Sequence, residues 1–265
     1  MIIVLNFGSQ FAHLIARRVR ELGRYSQIVP YDISAQELKK LNPRGLILSG
    51  GPGSVYEKDA SLPDPEIFKL GIPVLGICWG QQVMGHLLGG KVEPGKVREY
   101  GKEIIQVVDA SGIFEGLDEK EQVWFSHGDA VTKLPPGFHV TASTPNCKNA
   151  AMADEKRKFY CIQFHTEVGH TLKGMKILEN FVNKICRSEK DWSMKDLKPA
   201  LISEMRTATA NGKGVLMAVS GGVDSFVTAV IMHRANPDNL YLVYVDNGLM
   251  RNGETNEINK LFQKM

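Results

Sequence analysis

The stretch IPVLGICWGQQVMGHLL, residues 72–88, decides the fold. Its first part, Ile72–Ile77, has the composition of a buried strand, and its last part, Gln81–Leu88, has the spacing of a helix. Between them lies Gly76-Ile-Cys78-Trp-Gly80, a strand-to-helix turn of the kind that carries a nucleophile. The two glycines permit a sharp turn, and the helix N-terminus favours a thiolate. The pattern predicts a nucleophilic Cys78; a cysteine buried in a core strand is the alternative.

Apolar runs on both sides of this stretch predict the rest of a first domain. Strands are expected at Ile2–Phe7, Gln27–Tyr31, Gly45–Leu48, Glu103–Val108, Gln122–Phe125, His139–Ala142 and Phe159–Phe164. Helices are expected at Gln10–Leu22, Ala35–Leu41 and Leu172–Ile185. The early part alternates strand and helix, whereas the middle is a stretch of strands. We therefore expect an α/β fold with a mixed, mostly parallel open sheet flanked by helices and an antiparallel extension.

A domain boundary is expected near residue 188. The segment RSEKDWSMKDLKP, residues 187–199, is polar, lacks an apolar period and ends in proline, which is typical of a linker. We place the first domain at 1–188, a linker and helix at 189–212, and a second domain at 213–265. This last part contains one Rossmann-like βαβ pattern, with strands at Val215–Val219 and Leu240–Val245. Two strands cannot bury both faces of a parallel sheet, so we expect a domain that is cut short or completed by another chain.

Composition excludes several classes of protein. The chain has 265 residues, 43% of them hydrophobic, with 32 Lys and Arg against 29 Asp and Glu. This balance indicates a globular protein and gives no reason to expect a nucleic acid or membrane partner. Met1 leads directly into an apolar run without a basic leader, so we expect a cytoplasmic location. The cysteines form no Cys-x-x-Cys pair, which argues against a disulfide framework and against a zinc site.

A base for the predicted nucleophile is available in Phe164-His-Thr-Glu167. Side chains two residues apart on a strand point to the same side, so His165 and Glu167 are expected to lie together, with the imidazole between sulfur and carboxylate. A thiol nucleophile needs such a base, and the base needs an orienting acceptor. Taken alone, a pair of this kind is more often a surface salt bridge, and His165, Glu167 and His170 are a weaker candidate for a metal site.

An oxyanion hole is the third expected component. One donor is the amide of Trp79, the residue after the nucleophile, and the other comes from a separate loop that follows a strand. The loop SGGPGS, residues 49–54, follows the apolar run GLIL, and its glycines allow amides to approach a ligand closely. An ordinary turn is the alternative interpretation of this loop.

Three segments, SGGPGSVY, GICWGQQ and FHTEV, are similar in order and spacing to those of the class I glutamine amidotransferases. The resemblance covers Met1 to about Cys186. It implies that the Cys78 thiolate attacks the side-chain amide of glutamine, that His165 and Glu167 complete a catalytic triad, and that no cofactor is needed. By motif, it assigns the oxyanion amides to Gly51 and Trp79 and the glutamine pocket to Gln82, Ser126, His127 and Asp129. The other cysteines, Cys147, Cys161 and Cys186, lack this setting and are expected to be inert.

One position departs from that family's pattern. Most members have proline between the histidine and the glutamate, and this chain has Thr166. The change removes a fixed φ angle and leaves both functional side chains in place. We expect a change in loop rigidity rather than loss of the triad.

A second motif, SGGVDS at residues 220–225, follows the apolar run Val215–Val219. Glycines and hydroxyls at a strand-to-helix turn can form an anion nest, and no Gly-Lys-Ser/Thr follows, which excludes a Walker loop. A tight turn capped by Asp224 is the alternative. The motif resembles the phosphate loop of the ATP pyrophosphatases. That resemblance implies an ATP site with Mg²⁺ at Asp224, formed by Ser220, Gly221, Gly222, Val223, Asp224, Ser225, Val245 and Asp246.

Together, the two motifs resemble glutamine-dependent enzymes that use MgATP to adenylate XMP and then aminate it to GMP. This resemblance implies glutamine, ATP and XMP as ligands, a homodimer when complete, and a missing C-terminal half or a complementary chain. Glutaminase activity of the present chain is expected to be low in isolation. The alternatives are an amidotransferase serving another synthetase, such as those for carbamoyl phosphate or anthranilate, which the second motif disfavours, and a non-catalytic fragment that binds glutamine or nucleotide.

Overall fold

The computed structural model describes residues 1–210, 212 and 214–263, except for the side chain of Lys96. The chain divides into two compact units, Met1–Trp192 and Ser193–Met265, and each is described by itself below.

The first unit is built on a nine-stranded sheet in the order β2-β1-β3-β4-β9-β8-β7-β5-β6. Its first five strands are parallel and the remaining pairings are antiparallel. This arrangement confirms the expected mixed sheet with an antiparallel extension. The strands are β1 Ile2–Asn6, β2 Ser26–Pro30, β3 Gly45–Leu48, β4 Val74–Ile77, β5 Lys91–Val107, β6 Lys120–Lys133, β7 His139–Ser143, β8 Ala151–Asp154 and β9 Phe159–Ile162.

Helices cover both faces of the parallel half, which explains why its strands are apolar throughout. The helices are α1 Phe11–Glu21, α2 Ala35–Leu41, α3 Trp79–Leu87 and α4 Gly174–Glu179, which continues as a π-helix over Asn180–Ile185; short 3₁₀ turns lie at Pro65–Lys69 and Gly112–Phe114. Alternate residues of β1 point to opposite faces: Val4 packs in the same core cluster as Ile15 of α1, whereas Leu5 packs with Leu38 of α2 and Val83 of α3.

The antiparallel half differs most from the expectation. Strand β8 was not expected, because its sequence AMAD has no β-branched or aromatic residue. Strands β5 and β6 form a long hairpin that begins well before the predicted runs, with a register shift between Pro94 and Glu99. Polar and glycine residues in this partly exposed hairpin hide its strand character in the sequence. The expected strand Phe159–Phe164 ends earlier, at Ile162.

Close packing of β4 against α3 explains the two glycines of the turn. A Cβ atom at Gly76 would lie 2.6 Å from the carbonyl oxygen of Gly80, and one at Gly80 would overlap the Leu48 carbonyl of β3. Neither glycine has a positive φ angle. Their role is therefore to let the backbones of β3, β4 and α3 pack closely. The sequence pattern had instead predicted that they permit a sharp turn.

The second unit contains α5 Met194–Ala208, β10 Val215–Ala218, α6 Val223–Ala235, β11 Leu240–Val243 and α7 Glu254–Phe262, with a short 3₁₀ turn at Pro237–Asn239. Strands β10 and β11 pair in parallel, and α6 connects them, as expected for one βαβ unit. No helix in the described part of the chain combines the length and the apolar character needed to cross a membrane.

The segment interpreted as a linker is partly helical. Helix α5 begins at Met194 and contains Pro199, so its first turns lie within the segment 187–199 that the sequence predicted to be a linker. The Ser193 hydroxyl accepts a hydrogen bond from the Lys195 amide and caps the helix N-terminus. Met194, Leu197 and Leu201 have helical spacing, so an apolar period is present that the surrounding charges obscured.

Candidate active site

Cys78 lies at the turn between β4 and α3, with φ 54° and ψ −105°. A non-glycine residue in this conformation carries backbone strain of about 1–3 kcal/mol, which the surrounding structure must hold. Its amide donates a 2.8 Å hydrogen bond to Ile162 O on the neighbouring strand β9. The side chain is 7% exposed, and Sγ lies 3.7 Å from Ser126 O. The thiol is therefore fixed at the carboxyl edge of the parallel strands.

His165 and Glu167 lie just beyond the end of β9. The Nδ1 atom of His165 lies 2.7 Å from Oε1 of Glu167, and the two side chains are 4% and 0% exposed. Since an ionised carboxylate only accepts, Nδ1 carries the hydrogen and Nε2 is left for a second partner. The Cys78 thiol lies close enough to this imidazole to raise its pKa, while the thiol's own hydrogen bond runs to Ser126 O at 3.7 Å.

Contacts from β6 and α1 hold this pair in place. The His165 amide donates to Trp124 O of β6 at 2.9 Å, and the Phe11 ring of α1 lies 5.0 Å from the imidazole. Arg18 of α1 donates to the backbone oxygen of Glu167 at 3.0 Å. The pair is fixed by these contacts and not by strand alternation, since β9 has already ended.

The environment of His165 favours its charged form. Burial alone would lower the pKa of the imidazole, but hydrogen bonds to Cys78 and Glu167 and the charges of both groups raise it to about 10. An imidazole with a raised pKa is a stronger base toward the thiol proton.

The glycine loop after β3 lies against this site. A Cβ atom at Gly50 would lie 3.4 Å from Cε1 of His165, and one at Gly51 would lie 3.0 Å from the Trp79 ring and from Phe7. A side chain at Gly51 would crowd the Trp79 ring and the Phe7 side chain, whereas one at Gly50 would make an ordinary contact with His165. The amides of Gly51 and Trp79 remain our candidates for the oxyanion hole.

A cleft of about 370 Å³ opens at Cys78. It is lined by Gly51, Gly53, Ser54, Cys78, Trp79, Gln82, Arg98, Tyr100, Ser126, His127, Gly128 and Asp129, which brings together all four residues expected to form a glutamine pocket. Within it, Gln82 Nε2 donates to Asp129 O at 2.8 Å and to Gln163 Oε1 at 3.3 Å. The side-chain oxygen of Gln82 is the atom left to contact a ligand.

Several lining residues were not expected from the sequence. Arg98 and Tyr100 belong to β5, which the sequence reading started only at residue 103, so these side chains had no assigned element. Ser54 lies within the glycine-loop motif, and its hydroxyl bonds to the Asp129 carboxylate, which Tyr56 also contacts at 3.2 Å. The SGGPGS motif could have indicated Ser54, but only the backbone amides of that motif were considered at the level of sequence.

The remaining cysteines differ from Cys78 in their surroundings. Burial, followed by the nearby Glu99 charge, raises the pKa of the Cys147 thiol to about 12. Burial also raises the pKa of Cys161 and Cys186 far above the usual range. These thiols stay protonated, which makes them poor nucleophiles.

Two groups of side chains among the described residues have the geometry of possible metal ligands, with donor atoms within 4.8 Å of one another. They are Glu99, His127 and Cys147, and Asp109, His139 and Glu155. In each group the histidine already contacts a carboxylate at 3.0 Å. His170, considered above as a metal ligand, stacks on Trp124 with 4.6 Å between ring centroids.

The loop SGGVDS in the second unit joins β10 to α6. Gly221 has φ +82°, and α6 starts at Val223 with Gly222 as its N-cap, so Asp224 lies in the first helical turn rather than at the cap. Ser225 Oγ lies 3.2 Å from Ser220 Oγ and donates to Gly222 O at 2.9 Å. The loop thus turns directly into the N-terminus of α6.

The two residues expected near the nucleotide differ in their contacts. The Asp246 carboxylate accepts from Thr255 Oγ1 at 2.7 Å and from the Gly248 amide at 2.9 Å, and these bonds lower its pKa. Val245 is 68% exposed. Asp246 is therefore engaged within its own loop, whereas Val245 is accessible.

The model of the glutamine amidotransferase class-I family matches residues 3–185, about two thirds of the chain. The chain belongs to this family. The match covers the strained cysteine, the glycine loop and the His165–Glu167 pair, and it ends at the close of the π-helix. This amidotransferase region thus corresponds to the first unit.

Relatives of this amidotransferase extend further along the chain. A protein of Geobacillus kaustophilus named GMP synthase [glutamine-hydrolyzing] is 50% identical over 264 residues, covering 100% of this chain and 52% of its own length. A protein of Lactobacillus johnsonii with the same name is 47% identical, covering 99% of this chain and 51% of its own length. The chain spans about half the length of these relatives.

Solved structures agree with the fold. The crystal structure of a Thermoplasma acidophilum protein, provisionally named as a GMP synthase subunit, is 36% identical with a TM-score of 0.65 and covers 70% of this chain and 93% of that chain. A glutamine amidotransferase of Thermotoga maritima is 21% identical with a TM-score of 0.52, covering 71% and 86%. At the lower identity, the likeness concerns the fold alone.

The backbone strain at Cys78 predicts an unusual order of stability. Glycine tolerates a positive φ angle, so Cys78→Gly is expected to be about 1 kcal/mol more stable than Cys78→Ala in denaturant unfolding. The matched pair at Cys161, which lies in β9 without a positive φ angle, is expected to show the reverse order. A Cys78→Ala variant at least as stable as Cys78→Gly would mean that Cys78 is not strained.

The raised pKa of His165 predicts a pH-dependent stability. The folded value of about 10 exceeds the unfolded value of 6.5, so the stabilisation is complete below pH 6.5 and is lost as pH rises through about 10. Glu167→Gln removes one of the groups that raise this pKa. Its deficit in unfolding free energy is expected to shrink between pH 6.5 and 10, measured by urea titration at each pH.

Asp109→Asn provides the control, because its partner His139 is 45% exposed and solvent screens the interaction. Its deficit is expected to stay nearly constant over the same range. A constant deficit for Glu167→Gln as well would contradict the proposed charge on His165.

Proposed function

We propose that this chain hydrolyses the side-chain amide of glutamine to give glutamate and ammonia. One observation carries the proposal: a cysteine on a strained strand-to-helix turn lies beside an imidazole whose Nδ1 atom is 2.7 Å from a fully buried carboxylate. A nucleophile, a base and an orienting acceptor thus lie next to one another. Family membership supports the choice of glutamine as the substrate.

The first half-reaction breaks the amide bond. Nε2 of His165 takes the proton from the Cys78 thiol, and the sulfur attacks the amide carbon of glutamine. The carbonyl oxygen becomes an oxyanion, for which we assign the amides of Gly51 and Trp79 as donors. The imidazolium then returns the proton to the leaving nitrogen, so ammonia departs and a glutamyl thioester remains on Cys78. Glu167 holds the imidazole orientation throughout and stabilises its positive charge.

The second half-reaction restores the enzyme. His165 takes a proton from water, and the resulting hydroxide attacks the thioester carbon. The carbon–sulfur bond breaks, glutamate leaves, and the proton returns to the sulfur. The sum is glutamine plus water giving glutamate plus ammonia, and this sequence uses no cofactor.

Recognition of glutamine is assigned to the cleft beside Cys78. The side-chain oxygen of Gln82 and the Ser126–Asp129 segment line its polar wall. Asp129, although bonded to Ser54 and Tyr56, offers negative charge to the α-ammonium group of an amino acid. These assignments are proposals that rest on position and chemistry.

The ammonia is proposed to serve the amination of XMP to GMP. This step rests on the relatives named GMP synthase and on the SGGVDS loop of the second unit. The loop residues Ser220–Ser225 would hold ATP phosphates at the start of α6, with Val245 and Asp246 near the nucleotide. Asp224 offers an exposed carboxylate, a ligand that suits Mg²⁺, which would neutralise phosphate charge. We propose that a C-terminal half or a complementary chain supplies the XMP site, in a cytoplasmic homodimer.

The decisive test compares glutamate release by the wild type and by Cys78→Ala. The wild type is expected to release glutamate slowly, and the variant is expected to lose at least about 100-fold of that rate, because its nucleophile is gone. A coupled glutamate dehydrogenase assay measures both. Cys161→Ala is the matched control, since this thiol is buried with its pKa raised, and it is expected to keep the wild-type rate. Equal rates for the wild type and Cys78→Ala would refute the proposal.

A further inference from the structure

A second buried histidine–carboxylate pair lies beneath the glutamine cleft. Nε2 of His127 lies 3.0 Å from Oε2 of Glu99, and the side chains are 3% and 2% exposed. The two residues face each other across the β5–β6 hairpin, next to its register shift. The other carboxylate oxygen of Glu99 accepts a 3.3 Å hydrogen bond from Thr144 Oγ1. Glu99 is thus fully engaged in the protein interior, although no sequence motif marked it.

The hydrogen-bond partners of His127 determine which of its ring nitrogens carries a hydrogen. Its Nδ1 atom lies 2.9 Å from Asp129 O, a carbonyl oxygen that can only accept, so Nδ1 carries a hydrogen. The Nε2–Glu99 contact then needs a hydrogen of its own, either on the ring or on the carboxyl group. His127 can therefore bond to Asp129 O and to Glu99 at the same time only while the Glu99 carboxyl group lies within hydrogen-bond distance of Nε2.

The carbonyl that His127 binds belongs to the wall of the cleft. Gln82 Nε2 donates to the same Asp129 oxygen at 2.8 Å, and the Asp129 carboxylate bonds to Ser54 of the glycine loop. In the same segment, Ser126 O accepts a hydrogen bond from the Cys78 thiol at 3.7 Å. Glu99 is thus connected through His127 to the segment that faces both the cleft and the nucleophile.

We propose that Glu99 is a positioning residue for glutamine binding. It holds His127 so that Nδ1 fixes Asp129 O, and this keeps the Ser126–Asp129 segment in the shape that accepts glutamine. The inference rests on the proposed glutaminase function. In this proposal, Glu99 acts through the length of its side chain and its hydrogen bond to His127. Its negative charge is not needed for glutamine binding.

Two substitutions at Glu99 separate the effect of side-chain length from the effect of negative charge. In Glu99→Gln, the amide nitrogen can donate to a neutral His127 Nε2 while the amide oxygen accepts from Thr144, so both contacts survive without the negative charge. In Glu99→Asp, the charge survives but the side chain is one methylene shorter and withdraws from His127. Glu121, a buried glutamate on β6 that accepts from the Asp118 amide, provides matched Gln and Asp controls away from the cleft.

The experiment measures KM and kcat for glutamate release, together with the saturation constant for labelling of Cys78 by a glutamine-analogue chloroketone. Glu99→Gln is expected to keep both constants within about twofold of wild type. Glu99→Asp is expected to raise KM and the labelling constant about tenfold, while kcat changes less, because loss of a buried hydrogen bond weakens the binding wall. The Glu121 variants are expected to leave both constants unchanged.

A KM for Glu99→Asp at least about fivefold above that for Glu99→Gln, with no such difference at Glu121, supports the proposal. A smaller ratio of these two KM values overturns the proposal. A higher KM for Glu99→Gln than for Glu99→Asp also overturns it, because negative charge would then matter more than side-chain length. The labelling constants decide the question if turnover is too slow to measure. Failure of the proposed function is distinguishable, since it appears in the wild type as an absence of Cys78-dependent glutamate release.

Discussion

The conformation of Cys78 is the constraint on which the rest of the site depends. At φ 54° and ψ −105° this residue cannot relax by itself, and the packing of β3, β4 and α3 around two glycines holds it there. A parallel sheet buried on both faces provides that packing, because its strands and helices are fixed by apolar contacts on either side. The fold thus supplies the stability that a strained nucleophile needs.

The site joins the two halves of the sheet. The parallel half contributes Cys78 and the glycine loop, whereas the antiparallel half contributes the cleft wall on β5 and β6. His165 follows the strand at which the two halves meet, and its amide bonds to Trp124 of β6. Two histidine–carboxylate pairs result. His165–Glu167 lies beside the Cys78 sulfur, and His127–Glu99 lies at the cleft wall that we assign to glutamine binding. Buried pairs of this kind hold their geometry because few other partners are available.

Local patterns predicted the parallel half of the fold well. Strands β1, β3 and β4 read as apolar runs, and the G-x-C-x-G turn lies where the motif places it, because both faces of these strands are buried. The long β5–β6 hairpin was largely missed, since it carries glycine, proline and charged residues along a partly exposed surface. Arg98, Glu99 and Tyr100 were missed for the same reason. Their roles depend on a register shift and on pairing with distant residues, which a local pattern does not contain.

Motifs also predicted which residue types form the candidate site, but some of the physical reasons differed. The glycines beside Cys78 are needed for close packing rather than for an unusual φ angle. His165 and Glu167 meet beyond the end of their strand, so contacts with α1 and β6 fix them instead of strand alternation. Such contacts join residues far apart in the chain, and only the folded structure reveals them.

A crystal structure of the protein labelled with a glutamine-analogue chloroketone tests the central claim most directly. The account predicts a covalent bond to Cys78 Sγ, an adduct within the cleft bounded by Gln82 and Asp129, and an imidazole nitrogen of His165 within about 4 Å of the sulfur. Labelling of another cysteine, or a His165 ring more than about 7 Å from the labelled sulfur, would contradict it.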